Sequence, residues 1–193
     1  MTSDDPTSLL REVKQALEAA GIPYMVVGSF AGMVHGEPRT TFDLDIVIDP
    51  SAVALDALLE GFDPNRVYVD PDVARDALRR RTMFNLVDMS SGWKIDFVIR
   101  KDRPFSKEEL SRRTVAQIIE VEVAVATAED TIIAKLEWAK LSASERQLSD
   151  VAGILAVRGD DLDFAYVERW VHQLGLAAEW ERARRLRQHE PSR

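Results

Sequence analysis

The chain predicts an α+β fold: a mixed sheet flanked by helices, followed by a helical C-terminal half. Three observations lead there. Short apolar runs of strand length, several rich in β-branched residues, recur between Tyr24 and Ala126. Helical periodicity is interleaved with the first of these runs. From Ala128 onward the pattern is helical to the end, with breaks near Ser142, Gly159 and Gly175. A domain of residues 1–126 and a helical domain of 127–193 are therefore expected.

In order, Pro6 to Ala20 reads as an amphipathic helix with the stripe Leu9, Leu10, Val13 and Leu17, stopped by Gly21. A strand over 24–28 follows, then a short helix over 29–36 and a strand over 43–48. Asp49-Pro50-Ser51 opens a helix to Leu59 that Gly61 ends, and Pro71 to Arg80 is a further helix. Met83–Met89 and Trp93–Ile99 are strand-like runs joined by Ser90-Ser91-Gly92, a hairpin signal. Val115 to Ala126 holds another strand or a pair. Gly28, Gly32 and Gly36 recur every fourth residue, which would let that segment pack closely on the sheet.

Composition bounds the class. At 193 residues, 46% hydrophobic and 30% charged, the chain can build a real core. It has no cysteine, so disulfides and thiolate zinc sites are excluded, and a reducing, cytoplasmic setting is expected. No apolar stretch approaches the roughly 20 residues needed to span a bilayer, and the acidic start lacks a signal-peptide layout. The net charge of −8 argues against broad nonspecific nucleic-acid binding. The local basic clusters, Arg79-Arg80-Arg81 and Arg182 to Arg187, suit solvated helix ends better than a polynucleotide surface.

The chemistry is concentrated in the strands. Asp43-Leu44-Asp45 sets two carboxylates on one face of a strand, because side chains alternate. Asp96 stands among Ile95 and Phe97 in a second apolar run. If the two strands are neighbours, all three carboxylates converge, and their repulsion calls for a cation. Oxygen ligands without cysteine favour Mg²⁺ or Mn²⁺, which usually completes its shell with water and substrate phosphates. Gly28-Ser29 ends one strand and opens a helix; the glycine admits a close ligand, and the hydroxyl and free N–H groups suit phosphate oxygens. Taken alone, a serine here is more often a helix N-cap than a phosphate ligand; beside Asp43 and Asp45 the ligand role is favoured.

Gly28-Ser29, the run Arg39-x-Thr41-x-Asp43-x-Asp45 and the later Asp96 resemble the signature of the DNA polymerase β-type nucleotidyltransferase superfamily. Within it, the chain looks closest to the bacterial AbiE-type toxin-like nucleotidyltransferases. Glu129 to Leu136, with Lys135, and Arg146 to Asp150 match the helical segments of that subgroup; the first of these helices carries the apolar stripe Ile132, Ile133, Leu136 and Leu141, and most lysines on such a helix are solvated. The resemblance covers about residues 20 to 158; it departs from the pattern in the neutral, apolar segment after Ser29. It implies a polymerase β-like fold and metal-dependent transfer of a nucleoside monophosphate from an NTP. Asp43, Asp45 and Asp96 would be the catalytic and metal-binding residues. Gly28, Ser29, Arg39, Thr41, Lys135 and Asp150 would contact the nucleotide. The implied acceptor is a tRNA or another RNA in a toxin–antitoxin setting, with an antitoxin protein as partner. Rival acceptors are a protein or an aminoglycoside-like small molecule, and the rival class is a non-catalytic nucleotide- or partner-binding module.

Overall fold

The computed structural model describes residues 6–36, 43–118 and 120–189. The chain forms two compact units. Of the described residues, the first holds those up to Phe30 and those from Asp43 to Val125; the second holds Ala31 to Gly36 and those after Val125.

Among the described residues, the first unit is built on a seven-stranded mixed sheet in the order β3-β4-β5-β2-β1-β7-β6. Its strands are β1 (Tyr24–Val27), β2 (Asp43–Ile48), β3 (Val67–Val69), β4 (Met83–Asp88), β5 (Lys94–Ile99), β6 (Thr114–Ile118) and β7 (Val121–Val125). β2 runs antiparallel to β1 and parallel to β5. The sheet has one strongly apolar face because the strands alternate as their sequences do. Leu44, Ile46 and Ile48 of β2 lie in register with Ile95, Phe97 and Ile99 of β5, and all six are buried. Phe84 of β4 stacks on Phe97 with ring centroids 5.1 Å apart.

The helices of this unit are α1 (Pro6–Ala19), α3 (Ala52–Glu60), α4 (Pro71–Arg80) and α5 (Pro104–Arg112). α1 packs on β7 and α3, and α4 on β4. The expected stripe Leu9, Leu10, Val13 and Leu17 is buried in full. Ser51 caps α3 by accepting from the Ala54 N–H, and Asp70 caps α4. β3 and α5 had no counterpart in the sequence reading. β3 is only three residues long and follows a polar turn, too short for a period to show. The Val115–Ala126 run resolves into the antiparallel pair β6–β7.

The second unit is helical: α6 (Ala128–Ser142), α7 (Glu145–Arg158), a 3₁₀ turn (Gly159–Asp161), α8 (Phe164–Leu174) and α9 (Ala177–His189). α2 (Gly28–His35) starts in the first unit and ends in this one. Two sequence expectations are corrected here. Where packing on the sheet was expected, Gly32 and Gly36 lie against helices of their own unit: a Cβ on Gly32 would meet Lys135 Cε at 3.2 Å, and one on Gly36 would meet Ile154 Cγ1 at 3.2 Å. Leu141, expected beside Ile132, Ile133 and Leu136 in the stripe of α6, is 75% exposed.

α6 begins with a reciprocal cap. Thr127 Oγ1 accepts from the Asp130 N–H and donates to Asp130 Oδ2 at 2.7 Å. Asp130 is fully buried, and Tyr166 Oη of α8 donates to its Oδ1 at 2.5 Å. Such a hydrogen bond to a charged acceptor is worth about 2 kcal/mol. Tyr166→Phe is therefore expected to lower unfolding stability by about 2 kcal/mol in urea titration without changing the helical content.

His35 is buried, and its Nε2 donates to the Ala126 carbonyl at 2.7 Å. Burial pushes its pKa below the ordinary histidine value of 6.5, and the nearby Arg158 charge adds to this. The unfolded chain thus takes up a proton at a pH where the folded chain does not. Stability is complete above the unfolded value and falls as pH drops from about 6.5 toward the folded value. Urea unfolding measured between neutral and mildly acid pH should show this slope, and His35→Gln should flatten it.

Candidate active site

The site grows from the register of β2 against β5. Asp45 lies directly opposite Asp96, and Asp43 opposite Lys94. Because β2 buries Leu44, Ile46 and Ile48 and β5 buries Ile95, Phe97 and Ile99 on one face, the face carrying Asp43, Asp45, Lys94 and Asp96 is the polar one. The strand-neighbour condition for convergence of the carboxylates is met. Exposure falls along the set: Asp43 is exposed, Asp45 half-buried and Asp96 7% exposed.

On the other side of β2, Asp45 pairs with Val27, the last residue of β1. The next residue, Gly28, has φ +64° and starts α2. A Cβ at this position would stand 2.1 Å from Asp45 Oδ2, so only glycine lets the backbone lie against that carboxylate. Ser29 follows in the first turn of α2. Phe30 sets its ring 6.2 Å from that of Trp93, just before β5, which ties the helix start to the strand carrying Asp96.

Two residues of this cluster escaped the sequence reading. Asn85 of β4 lies opposite Asp96 and donates its amide N–H to Asp96 Oδ1. Lys94 Nζ lies 3.0 Å from Asp96 Oδ2. The hydrogen bond to Asp96 holds the Lys94 ammonium above its ordinary pKa; burial opposes this, and the charges of Asp96, Asp43 and Asp45 reinforce it. The signal for Lys94 was present in the sequence: it stands two residues before Asp96 and so shares its face. The hairpin signal Ser90-Ser91-Gly92 pointed to the pairing of β4 with β5, and the register of that pairing sets Asn85 opposite Asp96.

Four expected residues remain: Arg39, Thr41, Lys135 and Asp150. Arg39 and Thr41 lie outside the described residues. Lys135 and Asp150 are brought together in the second unit, Nζ to Oδ2 at 2.7 Å, with Gln147 Oε1 3.4 Å from the same ammonium. Lys135 is 4% exposed, where a lysine on an amphipathic helix is usually solvated.

Among the described residues no three histidine, cysteine, aspartate or glutamate side chains are gathered as a ready metal cage. The arrangement is instead a carboxylate pair, Asp43 and Asp45, beside a third carboxylate already held by an amide and an ammonium. That donor set fits a hard divalent cation of the magnesium type, which takes one or two carboxylates plus substrate phosphates rather than an all-protein cage. No helix among the described residues is long and apolar enough to cross a membrane.

No protein-family model matches this chain, and no curated protein does. Solved structures do. An antigenic nucleotidyltransferase-like protein from Paracoccidioides brasiliensis aligns with a TM-score of 0.54 at 14% identity, over 94% of this chain and 94% of its own. ANT(2″)-Ia in complex with adenylyl-2″-tobramycin aligns with a TM-score of 0.54 at 13% identity, over 91% and 97%. The lincosamide antibiotic adenylyltransferase LnuA, bound to lincomycin, aligns with a TM-score of 0.54 at 10% identity, over 81% and 99%. At such identities the likeness is one of architecture, and it agrees with the mixed sheet and helical C-terminal half: the chain has a nucleotidyltransferase fold.

Proposed function

We propose that this protein is a metal-dependent nucleotidyltransferase that moves a nucleoside monophosphate from an NTP to a hydroxyl acceptor. The observation that carries the reading is the register of Asp45 against Asp96, with Asp43 on the same face and Gly28-Ser29 at the adjoining helix start. In the reaction a bond forms between the acceptor oxygen and the α-phosphorus. The bond from that phosphorus to the α,β-bridging oxygen breaks, pyrophosphate leaves, and the acceptor proton is lost. Mg²⁺ or Mn²⁺, when bound, would lower the charge of the triphosphate and the pKa of the attacking hydroxyl. Asp43 and Asp45 would hold that cation. Asp96, the most buried of the three, would orient the acceptor hydroxyl and take its proton. Ser29 Oγ and the N–H groups opening α2 would hold phosphate oxygens, as helix starts do. Lys135, Asp150, Arg39 and Thr41 are proposed nucleotide contacts on the strength of the sequence resemblance alone.

The acceptor we favour is a small, hydroxylated, cationic molecule. The chain carries a net charge of −8, which attracts cations and repels a polyanion. The arginine clusters are engaged by carboxylates: Arg79 and Arg80 both bond Asp76 at 3.0 Å, Arg184 lies 3.3 Å from Glu181, and Arg182 pairs with Glu145. Two of the structural neighbours are bound to an adenylylated aminoglycoside and to a lincosamide. An RNA acceptor with an antitoxin partner, the reading from the AbiE-type resemblance, is the alternative outcome of the test.

The test is label transfer from each α-³²P NTP, with Mg²⁺ or Mn²⁺, offered an aminoglycoside panel, a tRNA pool, or the protein alone. Label on an aminoglycoside supports the favoured acceptor; label on tRNA replaces it with the toxin-type reading. Nucleotide binding without pyrophosphate release under any condition would make the chain a binding module.

A further inference from the structure

We infer that Lys94 is the internal counter-cation of the carboxylate cluster, holding Asp96 until a divalent cation displaces its ammonium. This rests on the reading of Asp43 and Asp45 as a cation site. The geometry divides the two oxygens of Asp96 between different partners. Oδ1 accepts from the Asn85 amide on the neighbouring strand, a neutral contact that fixes the carboxylate plane. Oδ2 accepts from Lys94 Nζ at 3.0 Å. Asn85 is held by the β4–β5 ladder, so the oxygen able to change partners is the one facing the lysine.

The charge count gives Lys94 its role. Asp43, Asp45 and Asp96 share one sheet face, and all three act electrostatically on the Lys94 ammonium. Asp96 is nearly buried, where an uncompensated carboxylate is costly. Lys94 answers that charge while no divalent ion is bound. Its side chain is 38% exposed and carries a compact charge on a flexible stem, so it can leave for solvent without being buried elsewhere. A divalent cation held by Asp43 and Asp45 would repel the ammonium and leave Oδ2 free for the acceptor hydroxyl. Lys94 thus keeps the cluster assembled before loading and sets the affinity of the site.

The experiment uses the full chain and Lys94→Met, with Lys94→Arg as the charge-retaining control. Thermal melting in EDTA reads the counter-cation role directly, and Mn²⁺ titration calorimetry reads the competition. In EDTA, Lys94→Met should melt several degrees below wild type and Lys94→Arg close to it. Mn²⁺ should bind Lys94→Met about tenfold more tightly than wild type, and saturating Mn²⁺ should restore its melting temperature. Equal Mn²⁺ affinity in wild type and Lys94→Met, or equal melting in EDTA, overturns the inference and leaves the cation site standing. No Mn²⁺ binding by either protein overturns the cation site itself, and the inference with it.

Discussion

Asp45→Asn is expected to lower nucleotidyl transfer by at least about 10³-fold while leaving a folded protein of unchanged or slightly higher melting temperature. Asparagine fills the same volume, so the half-buried position opposite Asp96 and against Gly28 stays packed. What is lost is one of two anionic oxygen donors on the cation-facing side, while like-charge repulsion with Asp96 is relieved. Label transfer and a melting curve on the same preparation check both halves. Full activity in a well-folded Asp45→Asn protein would remove Asp45 from the site and end the metal reading of this pair.

Gly28→Ala is expected to cost about 10²-fold in transfer, because the new methyl cannot coexist with the present position of Asp45. The Cβ would stand 2.1 Å from Asp45 Oδ2 and 2.9 Å from its Cγ, so the carboxylate or the helix start must move. The φ of +64° adds a left-handed strain of about 1–2 kcal/mol for any residue with a Cβ. Gly21→Ala separates the two effects. Gly21 has φ +65°, and nothing lies within 4 Å of the Cβ it would gain. It should lose a similar backbone contribution in urea titration and keep its activity. If both variants were equally active, the contact between Gly28 and Asp45 would have no part in the chemistry.

Strong periodic segments were legible in the sequence. β2 spans Asp43–Ile48 as expected, because Leu44, Ile46 and Ile48 alternate with residues that face away from the core. α1 buries the stripe its spacing marked, and the breaks at Ser142, Gly159 and Gly175 separate α6 through α9. Short or mixed segments were not legible. β3 has three residues, and α5 carries Lys107, Glu108 and Glu109 among few apolar positions, so neither shows a period. Leu141 and Lys135 show the same limit from the opposite side: residue type suggested a buried leucine and a solvated lysine, and packing reversed both.

By itself the sequence determined the three carboxylates, the faces they take on their strands, and the glycine–serine step that opens a helix. Those follow from the two-residue period of a strand and from glycine's freedom at positive φ, which are local properties. Tertiary structure alone decided that β5 lies beside β2 and not elsewhere in the sheet, in the register that sets Asp96 against Asp45. It also decided that Asn85 and Lys94 would divide the oxygens of Asp96 between them. Strand order and register are settled by which apolar faces bury together over long separations in sequence, and no local pattern encodes that choice.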